Sequence, residues 1–371
     1  MTQTLIPVID LRRQYESMKD TINAAVLRVV DSCRYISGPE TEAFEREFAA
    51  YCGAKHCVAL GSGTAAISLS LRGLGVKAGD EVISVGFTVS PTLDAIRDLG
   101  AVPVFVDVDP STYTLDPTHL ESRISPATRA IVPVHIYGHP ADMDAILAVA
   151  DRYDLPVVSD ACEAHGALYK GRPISVFGTA SCFSFYPTKN LNAMGDTGAV
   201  VTDDSELADQ LRLLRYHGWD GRFHSAVSST NSRMDEIQAA VLTAKLPSLD
   251  AWNDRRREIA HRYDLALADS DIVRPAARAE WAVPSYYLYV VTTSKREELR
   301  CALTEAGIAS DIHWPEPPHL QPAFSDLGYS RGTLPVTERL CDEVLTLPMY
   351  AELTDDEVDS ICATLRSFAR G

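Results

Sequence analysis

Between residues 57 and 202, short β-branched runs alternate with helical stretches, and this alternation limits the architectures open to the chain more than any other feature. The runs are Cys57–Leu60, Val82–Val85, Val102–Val108, Ala130–Tyr137, Val157–Ser159, Ala180–Phe185 and Ala199–Thr202. Helical patterns fall at Ala65–Leu74, Pro91–Leu99, Ala141–Tyr153 and Glu206–Tyr216. Near-continuous apolar strands are buried on both faces, and parallel neighbours need a crossover that is usually a helix. The pattern predicts an α/β fold with a mostly parallel central sheet. In such sheets ligands bind beyond the carboxyl ends of the strands.

The flanks read differently. Residues 11–50 carry two helical patterns, with Ile22, Ala25, Val26 and Val29 on one face, a break at Ser37-Gly38-Pro39, and a second helix from Glu40 to Tyr51. After Leu242 the texture changes. Residues 248–268 read as a long charged helix with Arg255-Arg256-Arg257 on its solvated side, and Tyr286–Thr293 alternates like a strand. Two domains are expected: a large α/β domain over 1–247 and a smaller C-terminal α+β domain over 248–371. A chain of 371 residues, 46% hydrophobic, has the material for both cores.

Three strand ends carry candidate chemistry. Cys57–Leu60 runs into Gly61-Ser62-Gly63-Thr64 and a helix. Free backbone N–H groups and a helix dipole at such a turn form an anion cradle, although a tight turn capped by Thr64 has the same pattern. Val157–Ser159 ends at Asp160, and a carboxylate buried there needs a partner. Ala180–Phe185 leads through Tyr186-Pro187-Thr188 to Lys189, which has no carboxylate directly beside it in the sequence. Enclosed, such a lysine loses its proton and becomes a nucleophilic amine. Lys189 with Asp160, one strand away, matches the pairing of pyridoxal phosphate sites, where a carboxylate keeps the ring nitrogen protonated beside a Schiff-base lysine.

Composition narrows the partners. A formal net charge of −17 argues against nucleic acid and anionic membranes. Eight scattered cysteines without a CxxC pair suit reduced thiols in the cytoplasm, and no metal site is expected. The first ten residues lack the basic and apolar regions of a signal peptide, and no apolar stretch approaches membrane-spanning length.

Taken together, Asp160-Ala161-Cys162-Glu163-Ala164-His165-Gly166, Phe183–Asn190, Gly195–Val200 and Asn231-Ser232-Arg233-Met234-Asp235 resemble the DegT/DnrJ/EryC1/StrS family. Tyr35–Pro39, Gly61–Thr64, Val132–Gly138 and Leu347–Tyr350 extend the resemblance almost end to end. Family members are pyridoxal-phosphate sugar aminotransferases of fold type I, the aspartate aminotransferase-like class. By position, Lys189 resembles the Schiff-base lysine, Asp160 the ring-nitrogen partner and Glu163 a contact of the ring hydroxyl. Gly63, Thr64 and Ser184 match the phosphate cradle. Asn231 matches a residue reaching the phosphate from a second subunit, which implies a homodimer with active sites at its interface.

The resemblance implies pyridoxal 5′-phosphate as cofactor, L-glutamate as amino donor and a nucleotide-linked keto-6-deoxyhexose as acceptor. A dTDP-3-keto sugar of deoxyaminosugar biosynthesis, as in antibiotic pathways, is the first expectation. A 4-keto sugar, a keto-cyclitol and a regulator without turnover are the alternatives. Tyr186, His313 and His319 are candidate sugar contacts, and Arg215, His217 and Arg222 candidate partners of a diphosphate. Two positions depart from the family pattern. Val89 stands where an aromatic often covers the cofactor, leaving aliphatic contact or Phe87 to serve, and Thr197 stands where glycine is commoner.

Overall fold

The computed structural model describes residues 5–268, 270, 274–275 and 279–369. Met1–Thr4, part of the segment read as lacking a leader, lie outside the described residues. Seven strands make the central sheet: β1 (His56–Leu60), β2 (Glu81–Val85), β3 (Val102–Val106), β4 (Thr128–Ile131), β5 (Val158–Asp160), β6 (Ala180–Ser184) and β7 (Gly198–Thr202). Their spatial order is β3-β2-β4-β5-β6-β7-β1, with β4 joined to β5 through parallel bridges at Ile131–Val157 and Val134–Asp160. All run one way except β7, which is antiparallel to both neighbours. The reversal follows from the connection. The loop carrying Lys189 holds no crossover helix, so the chain returns antiparallel.

Helices α1 (Leu11–Ser32), α2 (Pro39–Cys52), α3 (Gly63–Gly73), α4 (Ser90–Arg97), α5 (Met143–Arg152), α6 (Ser205–Leu214) and α7 (Glu236–Lys245) surround this sheet. Side chains alternate across it with period two. Ala59, Ile83, Val106, Ile131, Phe183 and Val201 join one core with Phe44, Phe48, Met143 and Leu242. Val58, Val82, Phe105, Ala130, Cys182 and Val200 join the opposite core with Ile67, Leu93 and Leu211. Both faces are therefore covered by helices.

A third core lies in the C-terminal part, where β8 (Tyr289–Thr292) pairs antiparallel with β9 (Val344–Leu347). Around them pack α8 (Leu249–Leu267), α9 (Arg296–Glu305) and α11 (Asp355–Ala369), while α10 (Pro335–Glu343) precedes β9. Ile6 belongs to this core and bridges in parallel to Ile308, so the start of the chain folds onto its end.

Several local expectations shift. The strand expected at Ala130–Tyr137 stops at Ile131 and gives way to a 3-10 turn at Ile136–Gly138, where Tyr137 and Gly138 take positive φ. The α1 face buries Gln14 with Ile22, Ala25 and Val29, while Val26 is only half-buried. Arg256 does not share the solvated side of α8. It is buried and donates to the carbonyls of Tyr286, Tyr287 and Met349. Successive helical residues are about 100° apart, so three arginines in a row cannot all face water. No helix among the described residues is long and apolar enough to cross a membrane.

Candidate active site

β1, β5 and β6 run in one direction, so their carboxyl ends meet at one edge of the sheet and border a cavity of about 570 Å³. Gly63, Thr64, Asp160, Glu163, Ser184, Tyr186, Lys189 and His313 all line it. His319, Arg215, His217 and Arg222 do not, and Asn231, expected to reach the site of a second subunit, does not line the cavity of its own chain. His319 is fully buried in its proline-rich loop, its Nε2 3.1 Å from Glu338 Oε1 and its ring against Phe105, so it shapes the loop. Asn231 is exposed outside the cavity, its Oδ1 accepting from Arg233 Nε at 2.8 Å.

The turn after β1 is built around Gly63. A Cβ there would lie 2.7 Å from both Cys162 Sγ and Ser184 Cβ, so any side chain would fill the cradle. The α3 cap is Ser62, whose Oγ accepts from Ala65 N at 3.0 Å, in place of the expected Thr64. Thr64 is thereby free to face the cavity beside Ser184. Backbone N–H groups at this helix start and two hydroxyls suit a phosphate.

Asp160 is buried, its Oδ2 accepting from Thr92 Oγ1 at 2.7 Å and its Oδ1 from Cys162 N at 3.1 Å. A carboxylate has about four lone-pair sites, so acceptor capacity remains toward the cavity. Glu163 accepts from Tyr137 N at 2.7 Å through Oε2, and its Oε1 lies 3.3 Å from Lys189 Nζ. The sequence puts no carboxylate beside Lys189, but tertiary structure does. Burial pushes the Lys189 ammonium toward neutrality, yet the Glu163 charge and Tyr287 outweigh it and raise the pKa above the ordinary lysine value. Enclosure alone would have done the opposite. Tyr287 also lays its ring 3.9 Å from Nζ, with its hydroxyl 3.0 Å from Thr188 Oγ1.

Val89 lines the cavity, whereas Phe87 is buried against Tyr113 and Tyr137, which leaves the aliphatic contact. Thr197 Oγ1 donates to Leu60 O at 2.9 Å, so its extra volume is anchored at the end of β1. Arg215 is engaged with Glu45 and Ala59 O, and Arg222 lies over Phe223 in an exposed hairpin. Thr92, Tyr287, Asp311, Trp314 and Met349 line the cavity without having been singled out in the sequence. Thr92 sits in the stretch around Val89 and Met349 in the family-like stretch Leu347–Tyr350, while Tyr287, Asp311 and Trp314 also arrive from the C-terminal part, where the sequence assigned them no role.

These residues fit pyridoxal phosphate: a cradle only glycine permits, a carboxylate with spare acceptor capacity, and an enclosed lysine lining the same cavity. With this sheet topology, they define a fold-type I pyridoxal-phosphate site. The chain belongs to the DegT/DnrJ/EryC1/StrS aminotransferase family, whose model matches residues 16–366. It is 46% identical over 364 residues to the erythromycin biosynthesis sensory transduction protein EryC1 of Saccharopolyspora erythraea, covering 98% of this chain and 100% of that protein. It is 44% identical over 364 residues to the dTDP-3-amino-3,4,6-trideoxy-alpha-D-glucose transaminase of Streptomyces venezuelae, covering 98% and 96%. The crystal structure of S. venezuelae DesV in complex with a ketimine intermediate matches with a TM-score of 0.98 at 44% identity, over 100% of both chains.

Proposed function

We propose that this chain transfers an amino group from L-glutamate to a nucleotide-linked 3-keto-6-deoxyhexose, of the dTDP type, as a cytoplasmic homodimer. The enzyme is an aminotransferase of nucleotide keto-sugars, and its cofactor is pyridoxal 5′-phosphate. The observation that carries the reading is Lys189, enclosed between Glu163 and Tyr287 in the cavity that Asp160 borders. End-to-end likeness to a 3-amino-sugar transaminase supports the sugar class.

Bound as a Schiff base to Lys189, the cofactor would supply an electron sink for the carbon that gains or loses the amine. Gly63, Thr64 and Ser184 would hold its phosphate, and Asp160 would keep the proton on its ring nitrogen. Glu163 holds the Lys189 ammonium and orients its Nζ. Lys189 Nζ, released from the cofactor, would take the proton from the donor α-carbon and pass it to the cofactor carbon that keeps the amine, and would carry out the same transfer in reverse with the sugar. Val89, Tyr287 and Trp314 line the cavity and would limit water at the reacting atoms. Tyr186 and His313 are the proposed sugar contacts.

The dimer rests on charge. Among the described lining residues Lys189 is the one Lys or Arg, yet both substrates are anionic. Asn231 projects outside its own cavity, suited to reach another. The two proposed domains meet near residue 247, at the turn between α7 and α8.

The test is the reverse reaction, run with 2-oxoglutarate and a panel of nucleotide amino-sugars while the cofactor band is followed. dTDP-3-amino sugars are expected to shift it. A response confined to 4-amino sugars or aminocyclitols would refute the 3-keto assignment. Lys189→Ala must lose turnover.

A further inference from the structure

Against the Lys189 loop a buried lysine stands in a place where no anion bonds to it. Lys245, the last residue of α7, is 3% exposed. Its Nζ donates to Gln14 Oε1 at 3.1 Å, to Asn192 O at 3.0 Å and to Asn192 Oδ1 at 2.6 Å. An ammonium has three donors, so all of its capacity is met, and two of the three bonds go to one residue. Asn192 is itself buried, and its Nδ2 donates back to Pro187 O. The span from Pro187 to Asn192 contains Lys189. On the other side of that span, Asn190 Nδ2 donates to Asn253 Oδ1 and Ser285 O, both at 2.8 Å. Gln238, seven residues before Lys245 and so on the same face of α7, accepts from Met194 N at 2.8 Å through Oε1.

We propose that Lys245 is a positioning residue for the reaction, clamping the Lys189 loop through Asn192. Burying a charge is costly unless its hydrogen bonds are met, and here two of the three are met by the loop whose geometry sets where the Lys189 Nζ points, the third by Gln14 of α1. A loop of thirteen residues between β6 and β7 has no helix or ladder of its own to fix it. α7 supplies the missing frame from below while Asn253 of α8 supplies it from the side. Burial holds the Lys245 pKa down at about 8, so the group still carries its charge at neutral pH. The inference rests on Lys189 being the cofactor lysine. Because Lys245 does not line the cavity, it acts through the loop and not on substrate.

The holoenzyme tests this with Lys245→Met, Asn192→Ala and the double variant. Borohydride reduction and peptide mapping come first, and an adduct elsewhere than Lys189 would overturn the underlying reading separately. Given an adduct on Lys189, each single variant is expected to lower kcat at least tenfold with KM for the sugar within twofold. Amide exchange should rise in residues 186–194 and stay unchanged in α3 and β5. The double variant should be no slower than the worse single one, because both cut the same tether. Additive losses, or normal kcat with normal exchange in the loop, would overturn the proposal. If Lys245→Met does not fold, Asn192→Ala alone decides through the exchange of 186–194 and the kcat split.

Discussion

Replacing Glu163 by Gln removes the charge that holds Lys189 and leaves the shape of the cavity almost unchanged. The glutamine oxygen can still accept from Tyr137 N, as Oε2 does now. The amide then faces Lys189 Nζ, where Glu163 Oε1 stands at 3.3 Å. At that separation and an effective dielectric of about 20, the lost attraction is roughly 5 kcal/mol gross, an upper bound of about 3.7 pKa units. Tyr287 keeps its ring against Nζ, so part of the stabilisation survives. The expected fall in the Lys189 pKa is therefore smaller than that bound, about 2 units. Trace acetylation of the cofactor-free protein, read by peptide mass spectrometry across pH, measures it. Labelling of Lys189 at pH 7.5 should rise on the order of 100-fold in the variant, with its midpoint moved down. An unchanged or higher midpoint would refute the electrostatic account of this site.

Gly63→Ala should weaken cofactor binding at least tenfold in fluorescence titration, because the new Cβ meets Cys162 and Ser184 at 2.7 Å. The same overpacking should cost about 1–3 kcal/mol in urea unfolding. His319→Ala should destabilise by about 1–3 kcal/mol, since it leaves buried Glu338 short of a partner. Its KM for the sugar should stay within twofold, and a tenfold rise would return His319 to the site. The Arg13 guanidinium holds the Glu357 carboxyl down at about 2 from 4.5. That pairing contributes stability above the unfolded value, lost as pH falls from about 4.5 to 2. Arg13→Ala should lower stability at neutral pH and flatten the acid-unfolding slope across that window in circular dichroism, so that only the stability remaining near pH 2 reports lost packing alone.

The near-continuous apolar runs separated by helical stretches determined the sheet, because a strand buried on both faces has few other arrangements. The glycine turn at Gly61–Thr64, the strand-ending Asp160 and the loop lysine Lys189 were legible for the same reason. Each follows a strand, and parallel strands bring their carboxyl ends together. What the sequence could not show is pairing across distance. Glu163 beside Lys189, Tyr287 over it, Lys245 under its loop and His319 turned into the protein each depend on loops and helices brought together only when the cores close. Spacing along the chain says which edge a residue reaches, but charge state depends on neighbours within a few ångströms. Glu163 and Tyr287 were both in view in the sequence, but only the fold sets them against Nζ, where they raise the Lys189 pKa that enclosure alone would lower.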